Sequence, residues 1–303
     1  MHPSGEQITI TFADQRAVLT QVGGALRVYE AVGVPVVEGW EPEEMPDSCR
    51  GQVCYPWINR TTSGEWSFSG RSAHVGADNV DKRTLNHGVV RWRPFDIDEV
   101  SSDACTVSIV LNPVPEHPFW SKLTVGYRLS DAGLTVTSTV ENLDEVAVPF
   151  TLGFHPYFAV TTPTIDGARL TVPAETYLAV DDRLIPTGQD VAVAGTTMDF
   201  REAALVDAVV FDVTFADLRR DEDGLFRCRV VDANGGEVVY WQDESFPYFQ
   251  VFSGDTLRES RRRTSIALEP MTAPADALRS GRGRLSIEPG ASWSAAWGVR
   301  RLR

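Results

Sequence analysis

The 303-residue sequence predicts an all-β fold, a sandwich or barrel of many short strands. Three observations carry that expectation. Apolar and polar residues alternate with period two through most of the chain. No long stretch repeats apolar residues at helical spacing. Gly, Pro and Asp interrupt the alternation at short intervals.

The strands follow in chain order. Residues 8–12, 17–21 and 26–29 alternate first. Leu123, Val125, Tyr127 and Leu129 then share one face, and Leu134, Val136, Ser138 and Val140 repeat the pattern after Asp131-Ala132-Gly133. That is a hairpin, in which Gly133 supplies the positive φ that tight turns often need. Residues 209–215, 226–231, 238–241, 248–252 and 265–268 read as further strands, and Trp293, Ala295, Trp297 and Val299 alternate into a last one. Helix signals are confined to residues 200–205 and to 274–279, the latter with Thr272 near its start and Gly281 after it. No Pro/Gly/Ser-rich linker, charge block or internal repeat divides the chain, so residues 1–303 are expected to form one domain.

Acidic residues outnumber basic ones, 42 to 28, for a formal charge of −14. Such a field repels phosphate backbones, which argues against a nucleic-acid partner. No stretch is apolar for long enough to span a bilayer, and the first residues lack the basic start and apolar run of a secretory signal. A cytoplasmic protein with no membrane partner is the expectation. The four cysteines, Cys49, Cys54, Cys105 and Cys228, form no paired CxxC knuckles, so structural zinc is not expected. The spacing of Cys49 and Cys54 permits a disulfide, but two unconnected buried thiols are the commoner arrangement.

Five places set polar residues in apolar or aromatic company. They are Asn59-Arg60 after Tyr55-Pro56-Trp57-Ile58, Asn86-His87-Gly88 before Val89-Val90, and His155 within Gly153-Phe154-His155-Pro156-Tyr157-Phe158. The others are Asp207 between Val206 and Ala208, and Glu269 at the end of Ser265-Ile266-Ala267-Leu268. In a strand, Ile266 and Leu268 take one face while Ser265, Ala267 and Glu269 take the other, so small residues leave room beside a carboxylate. Pro270 cannot donate to a ladder, so the strand is expected to end there, at a rim. A half-desolvated Glu269 gains proton affinity and becomes a useful base, and His155 is a natural proton donor near neutral pH. Each has an ordinary structural alternative: an exposed strand-end Glu, a satisfied core His, a turn His87, a surface Arg60, a turn-capping Asp207. Metal ligation by His87, His155 and Glu269 is disfavoured because no HExxH-like spacing exists. No nucleophile elbow, Walker loop or GxGxxG is present, and Arg261-Arg262-Arg263 reads as a solvated cluster offsetting nearby acids.

In this order the motifs resemble the aldose 1-epimerase (galactose mutarotase) family. The resemblance begins at Gly23-Gly24-Ala25-Leu26 and continues through Asn59-Arg60, the Gly64–Gly70 segment and Asn86-His87-Gly88. Gly153–Phe158 is similar to the family's GxHPYF motif. Leu184–Gly188 with Asp199-Phe200-Arg201, Gln250–Gly254 and Leu268–Ala277 complete it. The resemblance implies a large antiparallel β-sandwich with an open sugar cleft, Glu269 as catalytic base and His155 as catalytic acid. It places sugar-binding roles on Arg60, His87, Asp207 and Gln250. The motif around Asp207 departs from the family by lacking a histidine after the aspartate, and residues 239–248 look like a divergent branch.

The implied reaction opens a cyclic aldose, turns it about C1–C2 and recloses it, with a carboxylate and an imidazolium on opposite sides of the ring exchanging protons. It calls for no cofactor and no metal. The partner is a small-molecule sugar, and the protein a monomer or homodimer. Trp57, Trp241 or Tyr157 could offer an apolar face to the ring. Two rivals remain: a hexose-phosphate 1-epimerase, if Arg60, Arg91 and Arg93 converge on one cleft, and a non-catalytic carbohydrate-binding module.

Overall fold

The computed structural model describes residues 2–302. Two antiparallel sheets dominate, one of twelve strands and one of nine. The larger sheet starts with the meander Gln7–Phe12, Gln15–Thr20, Ala25–Ala31 and Val34–Val37. It continues through Tyr157–Ala159, Ser265–Met271, Tyr248–Phe252 and Asp212–Leu218 to an edge made by Ala174–Val180 and Pro186–Ala192. The nine-stranded sheet is built around Ser121–Ser130, Gly133–Asn142 and Ser292–Leu302. Leu123, Val125, Leu134 and Val136 from one sheet share a continuous buried core with Phe249, Val251, Ile266 and Leu268 from the other. Alternation thus gives each sheet an inner apolar face, as the sequence pattern requires.

The 123–140 hairpin forms as expected, with Ser130 opposite Gly133. Gly133 is needed twice over: its φ is +94°, and a Cβ there would meet the Val299 carbonyl oxygen at 2.4 Å. The expected strands at 226–231 and 248–252 are found with those bounds.

Three expectations are corrected. The strand read at 209–215 runs instead over Asp212–Leu218, because Val206–Val209 closes a turn through a backbone bond from the Val209 N–H. Residues 200–205 are not helical. The Phe200 ring packs at 4.9 Å from that of Phe211, and Ala204–Leu205 completes the edge beside Arg169–Thr171. Burial and ladder pairing there outweigh a weak helical pattern. The other helix signal yields one turn, Ala277–Ser280, stopped by Gly281 at φ +79°. Nor does the strand at 265 end at Pro270. It runs to Met271, held between Tyr248–Phe252 on one side and Gly153 on the other.

All four cysteines are buried and free. No helix among the described residues is long and apolar enough to cross a membrane.

Candidate active site

Because Phe249, Val251, Ile266 and Leu268 fill the core, their neighbours Gln250 and Glu269 must face outward from the larger sheet. The register sets them side by side: Thr214 lies opposite Gln250, and Gln250 opposite Glu269. The pairs Gly153–Met271 and Tyr157–Ala267 bracket the next step and bring His155 beside Glu269. A second row, Asp212, Phe252, Ala267 and Tyr157, runs parallel to the first. Ala267 is the small member that leaves space next to the carboxylate.

Two loops close the opposite wall. Arg60 pairs with Asn86, and the His87 N–H donates to the Asn59 carbonyl at 3.0 Å, so the Asn-Arg and His-Gly motifs are held together. Asn59 and His87 both adopt left-handed backbone, at φ +59° each. Gly88 follows at φ +69°, where a Cβ would fall 2.1 Å from the Tyr55 carbonyl oxygen. That close approach fixes the direction in which His87 leaves the loop.

The result is a cleft of about 570 Å³. Arg60, His87, His155, Gln250 and Glu269, all expected at a site from the sequence, line it. His155 Nε2 lies 3.4 Å from Glu269 Oε1, and the two side chains are 7% and 2% exposed. The two groups are neighbours, not placed across the ring as the sequence reading supposed. The His87 and His155 rings meet edge to face, with centroids 5.1 Å apart. Arg60 reaches Asp212 at 3.6 Å, and Gln250 Nε2 donates to the same carboxylate at 2.8 Å while its Oε1 accepts from Thr214. Gln250 therefore holds Asp212 in place as well as lining the cleft.

Asp207 is corrected. It is exposed and outside the cleft, where its carboxylate accepts from the Gly167 N–H at 3.2 Å. The turn that precedes the strand carries it away, and Asp212 occupies the acidic position beside Arg60. A signal for Asp212 was present: Asp212 and Thr214 alternate with Val213 and Phe215, so the carboxylate falls on the outward face. Trp92 at the cleft wall, 53% exposed, had no such signal. Of the proposed aromatic platforms, Tyr157 lines the cleft, whereas Trp57 lies in a separate apolar cluster at 1% exposure.

Burial dominates the electrostatics. It pushes Glu269 well above the usual carboxylate range, assisted by Asp212 and opposed by Arg60. Burial pushes His155 down to about 3, with Arg50, Arg60 and Arg91 adding in the same direction. His87 is also driven down, by burial and then by His155, Arg91 and Arg60. Glu269 Oε2, His155 Nδ1, His87 Nδ1, Asn86 Oδ1 and Arg60 Nε are buried without any hydrogen-bond partner. Such a concentration of unmet donors and acceptors suits a ligand rich in hydroxyls, each of which can donate and accept. Donor atoms of His87, His155 and Glu269 also lie within 4.8 Å of one another, the one grouping among the described residues with the spacing to hold a metal ion.

Comparison with known proteins bears on the family and the fold. The sequence pattern of the aldose 1-epimerase family matches residues 6–299. The chain is 28% identical over 291 residues to the uncharacterized protein YihR of Escherichia coli (strain K12), covering 96% of this chain and 91% of YihR. It is 28% identical over 236 residues to galactose mutarotase of Homo sapiens, covering 73% of this chain and 66% of that one. Among solved structures, a GalM/aldose epimerase homologue from C. elegans aligns with a TM-score of 0.85 at 17% identity, over 98% of this chain and 99% of the other. A galactose 1-epimerase from Lactobacillus acidophilus NCFM aligns at 0.80 and 16%, over 98% and 95% of the two chains. These likenesses establish the galactose mutarotase-like fold, and the match along nearly the whole sequence establishes ancestry: the chain belongs to the aldose 1-epimerase family.

Proposed function

We propose that the cleft interconverts the α and β anomers of a neutral hexose by acid–base ring opening and reclosure. The observation that carries this reading is the buried contact of His155 Nε2 with Glu269 Oε1 at 3.4 Å, on the floor of a cleft full of unpartnered polar atoms. The anomeric hydroxyl oxygen and the ring oxygen are bonded to the same carbon, so two adjacent side chains reach both. Glu269 as carboxylate takes the anomeric hydroxyl proton, the C1–O1 bond becomes a carbonyl, C1–O5 breaks, and His155 gives O5 a proton. Rotation about C1–C2 presents the other carbonyl face. O5 then attacks C1 and returns its proton to His155, while the new hydroxyl takes the proton from Glu269.

The pair thus passes between carboxylate–imidazolium and carboxylic acid–imidazole within one turnover. Burial raises the proton affinity of the acid partner and lowers that of the imidazole, which favours the neutral form of an otherwise ionised pair. Sugar hydroxyls donating to Glu269 favour the ionised form. Bringing the two forms closer in energy keeps either half-reaction from becoming a deep trap.

The charge balance supports a neutral sugar. Arg60 faces Asp212, and Arg91 pairs with Asp78 at 2.9 Å, so each arginine arrives with a carboxylate. Arg93 does not line the cleft, and neither does the run at 261–263. Arg261 pairs with Glu38 at 3.1 Å and Arg263 with Asp166 at 2.8 Å.

NMR exchange and polarimetry on α-glucose, α-galactose and glucose 6-phosphate test this reading. Faster anomerisation of a free hexose than buffer alone is expected, undiminished by excess chelator. No acceleration with any sugar, despite calorimetric binding, would establish a binding module instead. A preference for the phosphate would establish the sugar-phosphate reading.

Asp212→Asn and Asp207→Asn distinguish the two aspartates. Loss of a charged hydrogen-bond partner typically costs about 1.5–3 kcal/mol, so the Asp212 variant is expected to raise KM by about tenfold or more. The Asp207 variant should leave KM and kcat unchanged. The reverse ranking in steady-state kinetics would return the sugar-binding role to Asp207.

A further inference from the structure

We infer that Arg50 and Tyr157 form a buried stack that sets the ring plane of His155, making Arg50 a positioning residue for proton transfer. This rests on the reading of His155 as the proton-transfer imidazole.

A catalytic imidazole is ordinarily oriented by a hydrogen bond to its second nitrogen. His155 has none, since Nδ1 is buried without a partner. Something else must keep Nε2 on Glu269. The Tyr157 ring lies parallel to the imidazole, 10° from coplanar, with centroids 5.0 Å apart. On Tyr157 sits the Arg50 guanidinium, 3.9 Å from the ring centroid. Arg50 is 0% exposed, an unusual place for a guanidinium.

Arg50 is held there from several sides. Its Nε donates to Asp47 at 3.2 Å, and Nη1 donates to Glu38 at 2.7 Å and to Ser265 at 3.3 Å. Its remaining Nη2 has no hydrogen-bond partner. The same loop grips the His155 backbone: the Gly51 N–H donates to the His155 carbonyl at 2.8 Å, and the His155 N–H to the Gln52 carbonyl at 3.2 Å. Tyr157 is tied to the loop too, donating to the Ser48 carbonyl at 3.2 Å. One loop therefore fixes both the main chain and the ring plane of His155.

Other charged or titratable groups face the imidazole: Glu269 from its strand, His87 from its loop, and Arg60 and Arg91 from the cleft wall. Among the cations, Arg50 lowers the proton affinity of His155 most. A positive charge opposes a second positive charge, so its removal must raise the pH at which the imidazole titrates. Glu38 and Asp47 keep their ion pairs with Arg261 and Arg258 but lose this counter-charge, which acts in the same direction.

The test is NMR titration of ring-labelled histidine, with the His155 signal assigned through its loss in His155→Gln. In Arg50→Met the His155 titration is expected to rise by about one pH unit, while Arg50→Lys, which retains the charge, stays close to the parent. The acid limb of the activity profile should move the same way. Arg50→Met combined with Glu38→Gln removes one of the two carboxylates that Arg50 neutralises, serves if the single variant does not fold, and should keep an upward shift. An unchanged His155 titration in folded Arg50→Met or the double variant would overturn the inference. The titration needs no turnover, so a protein without epimerase activity would sink the proposed reaction and leave this result readable.

Discussion

Glu269→Gln is expected to remove nearly all anomerisation while preserving the fold, and to stabilise the protein at neutral pH. The side chains have the same shape, but an amide cannot accept the anomeric hydroxyl proton. General acid–base contributions are typically about 10²–10⁴-fold, so polarimetry should find kcat reduced by about three orders of magnitude. The stability effect follows from burial. Glu269 is 2% exposed, its Oε2 lacks a partner, and its proton affinity is raised well above the ordinary value of 4.5. A carboxyl whose folded pKa exceeds its unfolded one stabilises fully below the unfolded value, and that contribution is lost as pH rises toward the folded one. Glutamine loses nothing over that range. The melting temperatures of parent and variant should therefore agree below about pH 4 and separate toward neutrality, with the variant higher. A variant that melted lower at neutral pH would mean that Glu269 is a structural anchor, and one with full activity would remove it from the reaction.

That site was partly visible in the sequence because two kinds of information are local. Alternation placed Ile266 and Leu268 inward and Glu269 outward, which the core and cleft both show. Motif resemblance located Arg60, His87, His155 and Gln250, all of which line the cleft. What escaped depends on register and turns. The start of the Asp212–Leu218 strand is set by the turn at Val206–Val209, so Asp212 lines the cleft where Asp207 was expected. Pro270 signals a strand end by its missing donor, yet neighbours on both sides carry the strand to Met271. The Arg50–Tyr157–His155 stack joins residues about a hundred positions apart through three-dimensional contact, and no local pattern announces it.

His155→Asn should cut kcat by about two to three orders of magnitude with little change in KM, because its proton is needed chiefly in the transition state. His87→Asn should act the other way, weakening sugar binding more than turnover. The structure places both rings at the same spot, 5.1 Å apart, but it is His155 whose Nε2 lies 3.4 Å from Glu269 Oε1. His87 has an unpartnered Nδ1 suited to a sugar hydroxyl, and burial beside His155, Arg91 and Arg60 disfavours its charged form, so it is a poor proton reservoir. The pH profile gives a second discrimination. Turnover requires one proton in the His155–Glu269 pair, so the rate is bell-shaped, with limbs that belong to the pair. The acid limb marks entry of a second proton, which the low affinity of His155 and the nearby arginines hold below neutrality. The alkaline limb marks loss of the single proton, which the high affinity of buried Glu269 moves upward from the ordinary carboxylate range. His155→Asn leaves Glu269 as the one titrating member of the pair, needed as carboxylate, so the residual rate should rise once with pH and lose its alkaline limb; His87→Asn retains both limbs. If instead His87→Asn erased the alkaline limb and His155→Asn kept the bell, His87 would be the proton-transfer group and His155 the sugar ligand.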